Sequence, residues 1–251
     1  MYPSIILVHG AATGAWIWDA WRRHLQPFGW DVNVLDLRGH GRSLPADLGA
    51  VTMEDYLADL ESVAGQIAVF KGAHPIVGGW GMGGLLALMY AATHPETPAL
   101  LLFSPDQPLE IAGKASIEEL RRHPGAVLTP EAFGVFADDF ERSRMSLSLS
   151  EDETKRFVAE SAGAEESGLA YRQRLRGISV PAGAVICPSL VIYGAHEGGG
   201  APANQVALAH HLLGDQLAMQ DAGHWGVICS DTTVSQAAPE VDAWLRSTLP
   251  S

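Results

Sequence analysis

The chain has 251 residues, 47% of them hydrophobic, which is enough for one large α/β domain and excludes an intrinsically disordered protein. Its formal net charge of −13 argues against a nucleic-acid site or binding to an anionic membrane surface. Two cysteines are far fewer than a disulfide framework needs. The first predicted strand begins at residue 4, and no apolar run reaches the ~18 residues of a membrane span. We therefore expect a soluble, cytoplasmic protein.

Predicted strands and helices alternate in the first hundred residues. Continuous apolar runs predict buried strands, and these lie at 4–10, 30–37, 74–80 and 98–105. Helical patterns separate them, at 15–29, 52–70 and 85–95. Thr52 is placed to cap the second helix, with Asp55 at the matching third position. Parallel neighbours need crossover helices, so the alternation predicts an α/β fold with a mostly parallel sheet and helices on both faces.

The alternation stops after residue 105. Residues 106–180 contain helix-like pieces and no convincing strand, and predicted strands resume at 189–196 and 216–224. We therefore predict a core made of residues 1–105 and 181–251, with residues 106–180 inserted as a helical cap.

The ends of the predicted strands carry the residues of interest, because ligands of open parallel sheets bind beyond the carboxyl ends of the strands. Five motifs lie there in chain order: HGAATGAW, DLRGHGRS, GWGMGG, YGAHE and DAGHW. Together they resemble the α/β-hydrolase superfamily, in particular its small cap-bearing esterase-like and lactonase-like members. The resemblance covers the whole chain except the cap, and it implies an α/β-hydrolase fold.

The resemblance also implies roles for individual residues. The nucleophile elbow G-x-S-x-G corresponds to residues 79–83, so Gly81 stands where the nucleophilic serine belongs. His224 would be the catalytic base, and Glu197 would be the acid, where most members carry aspartate. Asp106 is the reserve acid, because it also follows a strand.

Further residues complete the predicted site. The backbone N–H groups of Ala11 and Met82 would form the oxyanion hole, and Trp80 and Trp225 would line the pocket wall. No metal-binding or P-loop motif occurs, so we expect neither a metal nor a cofactor. The expected partner is a small ester, thioester or lactone, acted on by a monomer or homodimer. Four cap phenylalanines would favour an apolar acyl or aromatic part if they face inward; they are Phe133, Phe136, Phe140 and Phe157.

Gly81 leaves the activity open. Without a side-chain oxygen no acyl-enzyme can form there, yet glycine adopts the positive φ of an elbow at little cost, so the turn should survive. The first interpretation is a serine-type hydrolase seen without its serine, inactive or slow, as an inactivated variant or a natural serine-less member. The second is a ligand-binding or receptor-like protein. The third is an enzyme in which His224 activates water directly or removes a substrate proton, as a lyase or isomerase would.

A different class of site uses the same glycines. Gly79, Gly81 and Gly84 match the dinucleotide-binding pattern G-x-G-x-x-G, and Asp106 follows about 20 residues on. A lone glycine pattern is weak evidence, and this interpretation leaves the other four motifs unexplained. We therefore prefer the hydrolase.

Overall fold

Six parallel strands form the sheet that carries the candidate site. The computed structural model describes residues 2–122, 125–198 and 200–249. The strands in these residues are β1 Ile5–Val8, β2 Val32–Leu35, β3 Ile76–Gly81, β4 Leu100–Pro105, β5 Val127–Leu128, β6 Glu166–Ser167, β7 Ser189–Gly194 and β8 Asp215–Met219. The main sheet has the order β2-β1-β3-β4-β7-β8, and each neighbouring pair is parallel. The predicted α/β class is confirmed.

Helices lie between the strands along the chain and after the last of them. They are α1 Asp19–Leu25, α2 Met53–Lys71, α3 Met82–Thr93, α4 Leu109–Ala112, α5 Ile117–Arg122, α6 Phe140–Leu147, α7 Glu151–Glu160, α8 Gly168–Arg176, α9 Ala201–Leu212, α10 Gly226–Cys229 and α11 Asp231–Thr248. The predicted cap of α2 is present, since the Asp55 amide donates to Thr52 Oγ1 at 3.1 Å and the Thr52 amide donates to Asp55 Oδ2 at 2.9 Å. In the described residues, no helix combines the length and apolar character needed to cross a bilayer.

The sheet separates two apolar clusters. Alternate residues of β1 point to opposite sides, with Ile5 and Leu7 in one cluster and Ile6 and Val8 in the other. Residues of α1 and α11 complete the first cluster, and residues of α2, α3 and α9 complete the second. Helices therefore cover both faces, and the carboxyl ends of the strands remain free to hold a site.

The predicted cap segment, residues 106–180, contains helices α4 to α8 and one feature that the sequence analysis missed. Strands β5 and β6 pair antiparallel, with Val127 opposite Ser167 and Leu128 opposite Glu166. The expectation that this segment holds no strand is therefore wrong. Each strand has only two residues, which is too short for an alternating pattern to be recognised.

Candidate active site

The turn between β3 and α3 has the geometry expected of an elbow. Gly81 ends β3 with φ +54° and ψ −119°, and α3 starts at the next residue. A Cβ on Gly79 would collide with the carbonyl oxygen of Gly83, and a Cβ on Gly83 would collide with that of Val8. A Cβ on Gly84 would lie 2.6 Å from the Pro105 Cβ. The close approach of α3 to the sheet therefore accounts for Gly79, Gly83 and Gly84 without a bound dinucleotide.

Position 81 itself is open. An ideal Cβ built on Gly81 has one heavy atom within 4 Å in the described residues, apart from its chain neighbours, and that atom is Asp106 Oδ1 at 3.9 Å. This is an ordinary van der Waals distance. The turn therefore has room for a hydroxymethyl group or for a water molecule in its place.

The structure brings His224 and Glu197 together at the ends of β8 and β7. His224 Nδ1 lies 3.6 Å from Glu197 Oε2, and the histidine side chain is 40% exposed while that of the glutamate is 2% exposed. Glu197 Oε1 accepts hydrogen bonds from the Gly194 amide at 2.9 Å and from Ser104 Oγ. Burial alone would raise the pKa of Glu197, but contacts with His224, Ser104 and Gly194 hold it below its ordinary value. These contacts hold the Glu197 carboxylate in its ionised form next to Nδ1 of His224.

Ser104 lies at a predicted strand end, but the sequence analysis gave it no role. Trp80 pairs with Phe103 and Gly81 pairs with Pro105, so Ser104 is the extra residue of a bulge in β4. Its φ is +39°, and the bulge turns its hydroxyl toward Glu197. The one signal in the sequence is the Ser-Pro pair that ends the strand.

Asp106, the reserve acid, has a different partner. Its amide donates to the Gly81 carbonyl at 2.9 Å, and its carboxylate forms an ion pair with Arg174 of α8. Burial would lower the pKa of the Arg174 guanidinium, but Asp106 and Glu166 hold that pKa above its ordinary value. Glu197 is thus the carboxylate seen beside His224, and Asp106 is the carboxylate seen beside Gly81.

The two predicted oxyanion donors lie on the wall of the same cavity as Gly81. Met82 is the first residue of α3, and an N–H in the first turn of a helix has no intrahelical acceptor. Ala11 follows β1 and also lines the cavity. Both predicted oxyanion residues therefore border the space that a ligand would occupy.

The two predicted wall tryptophans contact the histidine. The Trp80 ring centroid lies 4.8 Å from that of His224 and 4.6 Å from that of Trp225, and Trp80 Nε1 donates to the His224 carbonyl at 3.2 Å. Trp225 packs against Phe157 of the cap segment at 4.7 Å. Among the four cap phenylalanines, Phe133 lines the cavity.

The cavity at this edge of the sheet has a volume of about 650 Å³, within the usual range of small-molecule sites. The strand ends contribute part of its lining, and the predicted cap segment contributes another part. The cap residues that line it include Lys114, Glu119, Phe133, Tyr171, Arg174 and Leu175. In the described part of the chain, no group of three or more His, Cys, Asp or Glu residues is placed to hold a metal ion.

Two other histidines lie behind the site. The Leu37 amide donates to His9 Nε2 at 3.1 Å, and His9 Nδ1 donates to the Gly10 carbonyl at 2.7 Å. Burial, with His40 nearby, lowers the pKa of His9 to about 4. His40 Nε2 lies 3.7 Å from Glu166 Oε2, and both side chains are fully buried. These contacts give His9 and His40 structural partners outside the cavity.

Comparisons with known proteins show which sequences and structures this chain is similar to. The chain is 31% identical over 143 residues to a pimeloyl-[acyl-carrier protein] methyl ester esterase of Salmonella heidelberg (strain SL476), covering 55% of this chain and 48% of the relative. The chain thus spans about half the length of the curated relatives it matches.

Solved structures match over nearly the full chain. A thermophilic esterase from Thermogutta terrifontis has a TM-score of 0.76 at 23% identity, covering 100% of this chain and 92% of that one. A Paleococcus ferrophilus monoacylglycerol lipase has a TM-score of 0.71 at 20% identity, covering 98% and 97%. These similarities show the fold. The model of the alpha/beta hydrolase family matches residues 5–237, so the chain belongs to that family.

Proposed function

We propose that this chain hydrolyses carboxylic esters, thioesters or lactones, with His224 activating a water molecule in place of an elbow serine. The observation that carries the proposal is the His224–Glu197 pair beside the open position at Gly81, in a cavity of about 650 Å³. The names of the similar proteins support this reaction class, since they are a methyl ester esterase, an esterase and a lipase.

The proposed reaction needs one water molecule and no covalent intermediate. The Glu197 carboxylate, 3.6 Å from His224 Nδ1, favours the tautomer with the proton on Nδ1, which leaves Nε2 free as a general base. The water oxygen attacks the carbonyl carbon while Nε2 takes a proton from the water. The Ala11 and Met82 amides stabilise the resulting oxyanion. When the tetrahedral intermediate collapses, the bond to the leaving alkoxide or thiolate breaks and His224 returns the proton to it.

The rate should be modest. General-base assistance typically contributes ~10²–10⁴-fold, well below a complete serine triad. We propose a substrate with an apolar acyl or aromatic part, because Phe133, Trp80 and Trp225 line the cavity.

The proposal is tested with p-nitrophenyl esters of several acyl lengths. The parent chain should show turnover that His224→Ala abolishes. His74→Ala is the matched control, because the side chain of His74 is 46% exposed and it is not among the cavity residues. Equal rates for the parent and His224→Ala would refute the proposal.

Gly81 also favours a second candidate, a ligand-binding protein. The cavity persists without a side chain at the nucleophile position, so binding does not require turnover. This candidate predicts that esters raise the melting temperature of the parent chain and are recovered intact after long incubation.

A further inference from the structure

Asp106 is the side chain that borders the open position at Gly81. Its Oδ1 lies 3.9 Å from an ideal Cβ there, and its amide is tied to the Gly81 carbonyl at 2.9 Å. A hydroxyl or water oxygen about one bond length from that Cβ position, on the side of Asp106, would come within hydrogen-bond reach of Oδ1. The carboxylate thus stands next to the point from which a nucleophile would attack.

Arg174 holds this carboxylate in place. It forms an ion pair with Asp106 Oδ2, so Oδ1 remains for another contact. The arginine side chain is only 9% exposed, which limits its freedom to leave the pair. The guanidinium also offsets the negative charge of Asp106, so an oxyanion formed nearby meets a neutral pair rather than a lone carboxylate.

We infer that Asp106 is a catalytic residue that orients the attacking water over Gly81, and that Arg174 is a positioning residue that fixes Asp106. The inference rests on the proposed function. The water donates one hydrogen to Asp106 Oδ1 and the other to His224 Nε2, which directs an oxygen lone pair at the carbonyl carbon. His224 removes its proton as the carbon–oxygen bond forms, and Asp106 keeps the second hydrogen bond throughout.

Asp106 can orient the attacking water in this way only when position 81 is glycine. A serine introduced there would place its own oxygen in the space of the water and would form an acyl-enzyme. The water that later cleaves the acyl-enzyme approaches from the side of the departed alcohol, away from this space. The rate of hydrolysis should therefore depend more strongly on Asp106 in the parent chain than in Gly81→Ser.

The test measures the effect of Asp106→Asn in the parent chain and in Gly81→Ser. Weakening a hydrogen bond to a charged group should lower kcat of the parent about 10- to 100-fold with a smaller change in KM. The loss in the parent should exceed the loss in Gly81→Ser by about tenfold or more, as expected for residues that share one water. Asp152→Asn, at a side chain that is 99% exposed, controls for the change in net charge.

A second variant keeps the test decisive if Asp106→Asn leaves Arg174 unpaired and unfolds the chain. Asp106→Asn combined with Arg174→Gln removes both charges, and it should show the same preferential loss in the parent. Equal losses in both backgrounds would mean a structural role and would overturn the inference. An active, His224-dependent parent that is insensitive to Asp106→Asn would refute this inference and leave the proposed function standing. A parent no faster than His224→Ala would refute the proposed function itself.

Discussion

Replacing Gly81 by serine should turn a slow water-based site into a faster serine site. The serine Cβ would meet Asp106 Oδ1 at 3.9 Å and no other heavy atom of the described residues within 4 Å, apart from the chain neighbours. The turn already has φ +54°, the conformation that places the nucleophile of an elbow above the sheet. The new hydroxyl would therefore share the cavity with His224 and the two proposed oxyanion donors.

The magnitude follows from two opposing effects. Holding a residue with a side chain at this positive φ costs about 1–3 kcal/mol, so Gly81→Ser should be less stable than the parent. Loss of a triad serine typically costs ~10⁶-fold in kcat. General-base assistance alone contributes ~10²–10⁴-fold, so serine should raise the rate by about 10²- to 10⁴-fold.

The assay follows p-nitrophenol release for several acyl lengths, with intact-protein mass spectrometry for an acyl adduct. Gly81→Ala is the matched control, because it adds the same backbone strain and a Cβ without the hydroxyl. Gly81→Ser should show an adduct and the higher rate, and Gly81→Ala should show neither. The reasoning is refuted if both variants are folded and equally slow.

Three further predictions concern the acid, two helical glycines and a buried histidine. In the Gly81→Ser background, Glu197→Gln should lower kcat about 10²-fold or more, because it removes the charge that stabilises the imidazolium. An unchanged kcat would mean that Glu197 is not the acid. Gly83→Ala should lower the free energy of unfolding by about 1–3 kcal/mol, because the added Cβ would collide with the carbonyl oxygens of Val8 and His9. Gly65→Ala, in the interior of α2 with open space around it, should raise that free energy by about 0.5–1 kcal/mol; urea titrations compare the two. Because the folded pKa of His9 is about 4 against 6.5 for the unfolded chain, the unfolded state binds the extra proton between these values, and stability should fall as pH drops from 6.5 to 4. His9→Asn should remove that part of the slope, and a slope unchanged in urea titrations at pH 5 and pH 7 would contradict it.

The strands and the elbow were predictable because their signals are local. Buried strands appear as short apolar runs, and a strand that turns into a helix through glycines predicts a sharp, tightly packed corner. Thr52 and Asp55 lie three residues apart, so their reciprocal hydrogen bonds could also be read from the spacing.

The contacts that surround the candidate site depend on distant parts of the chain. Arg174 lies 68 residues from Asp106, in a helix with three arginines at alternate positions, and nothing local distinguishes one from another. The role of Ser104 depends on a bulge between β3 and β4, which is a property of the paired strands. Glu197 and His224 also come from different strand ends, so only the folded chain shows that Glu197, rather than Asp106, lies beside His224.

The central claim is that His224 activates water at an elbow without a nucleophile. Single-turnover hydrolysis of an activated ester, with enzyme in excess and intact-protein mass spectrometry at each time point, tests this most directly. The account predicts conversion by the parent without any acyl adduct, and loss of that conversion in His224→Ala. A covalent adduct on the parent, or equal conversion by both proteins, would contradict it.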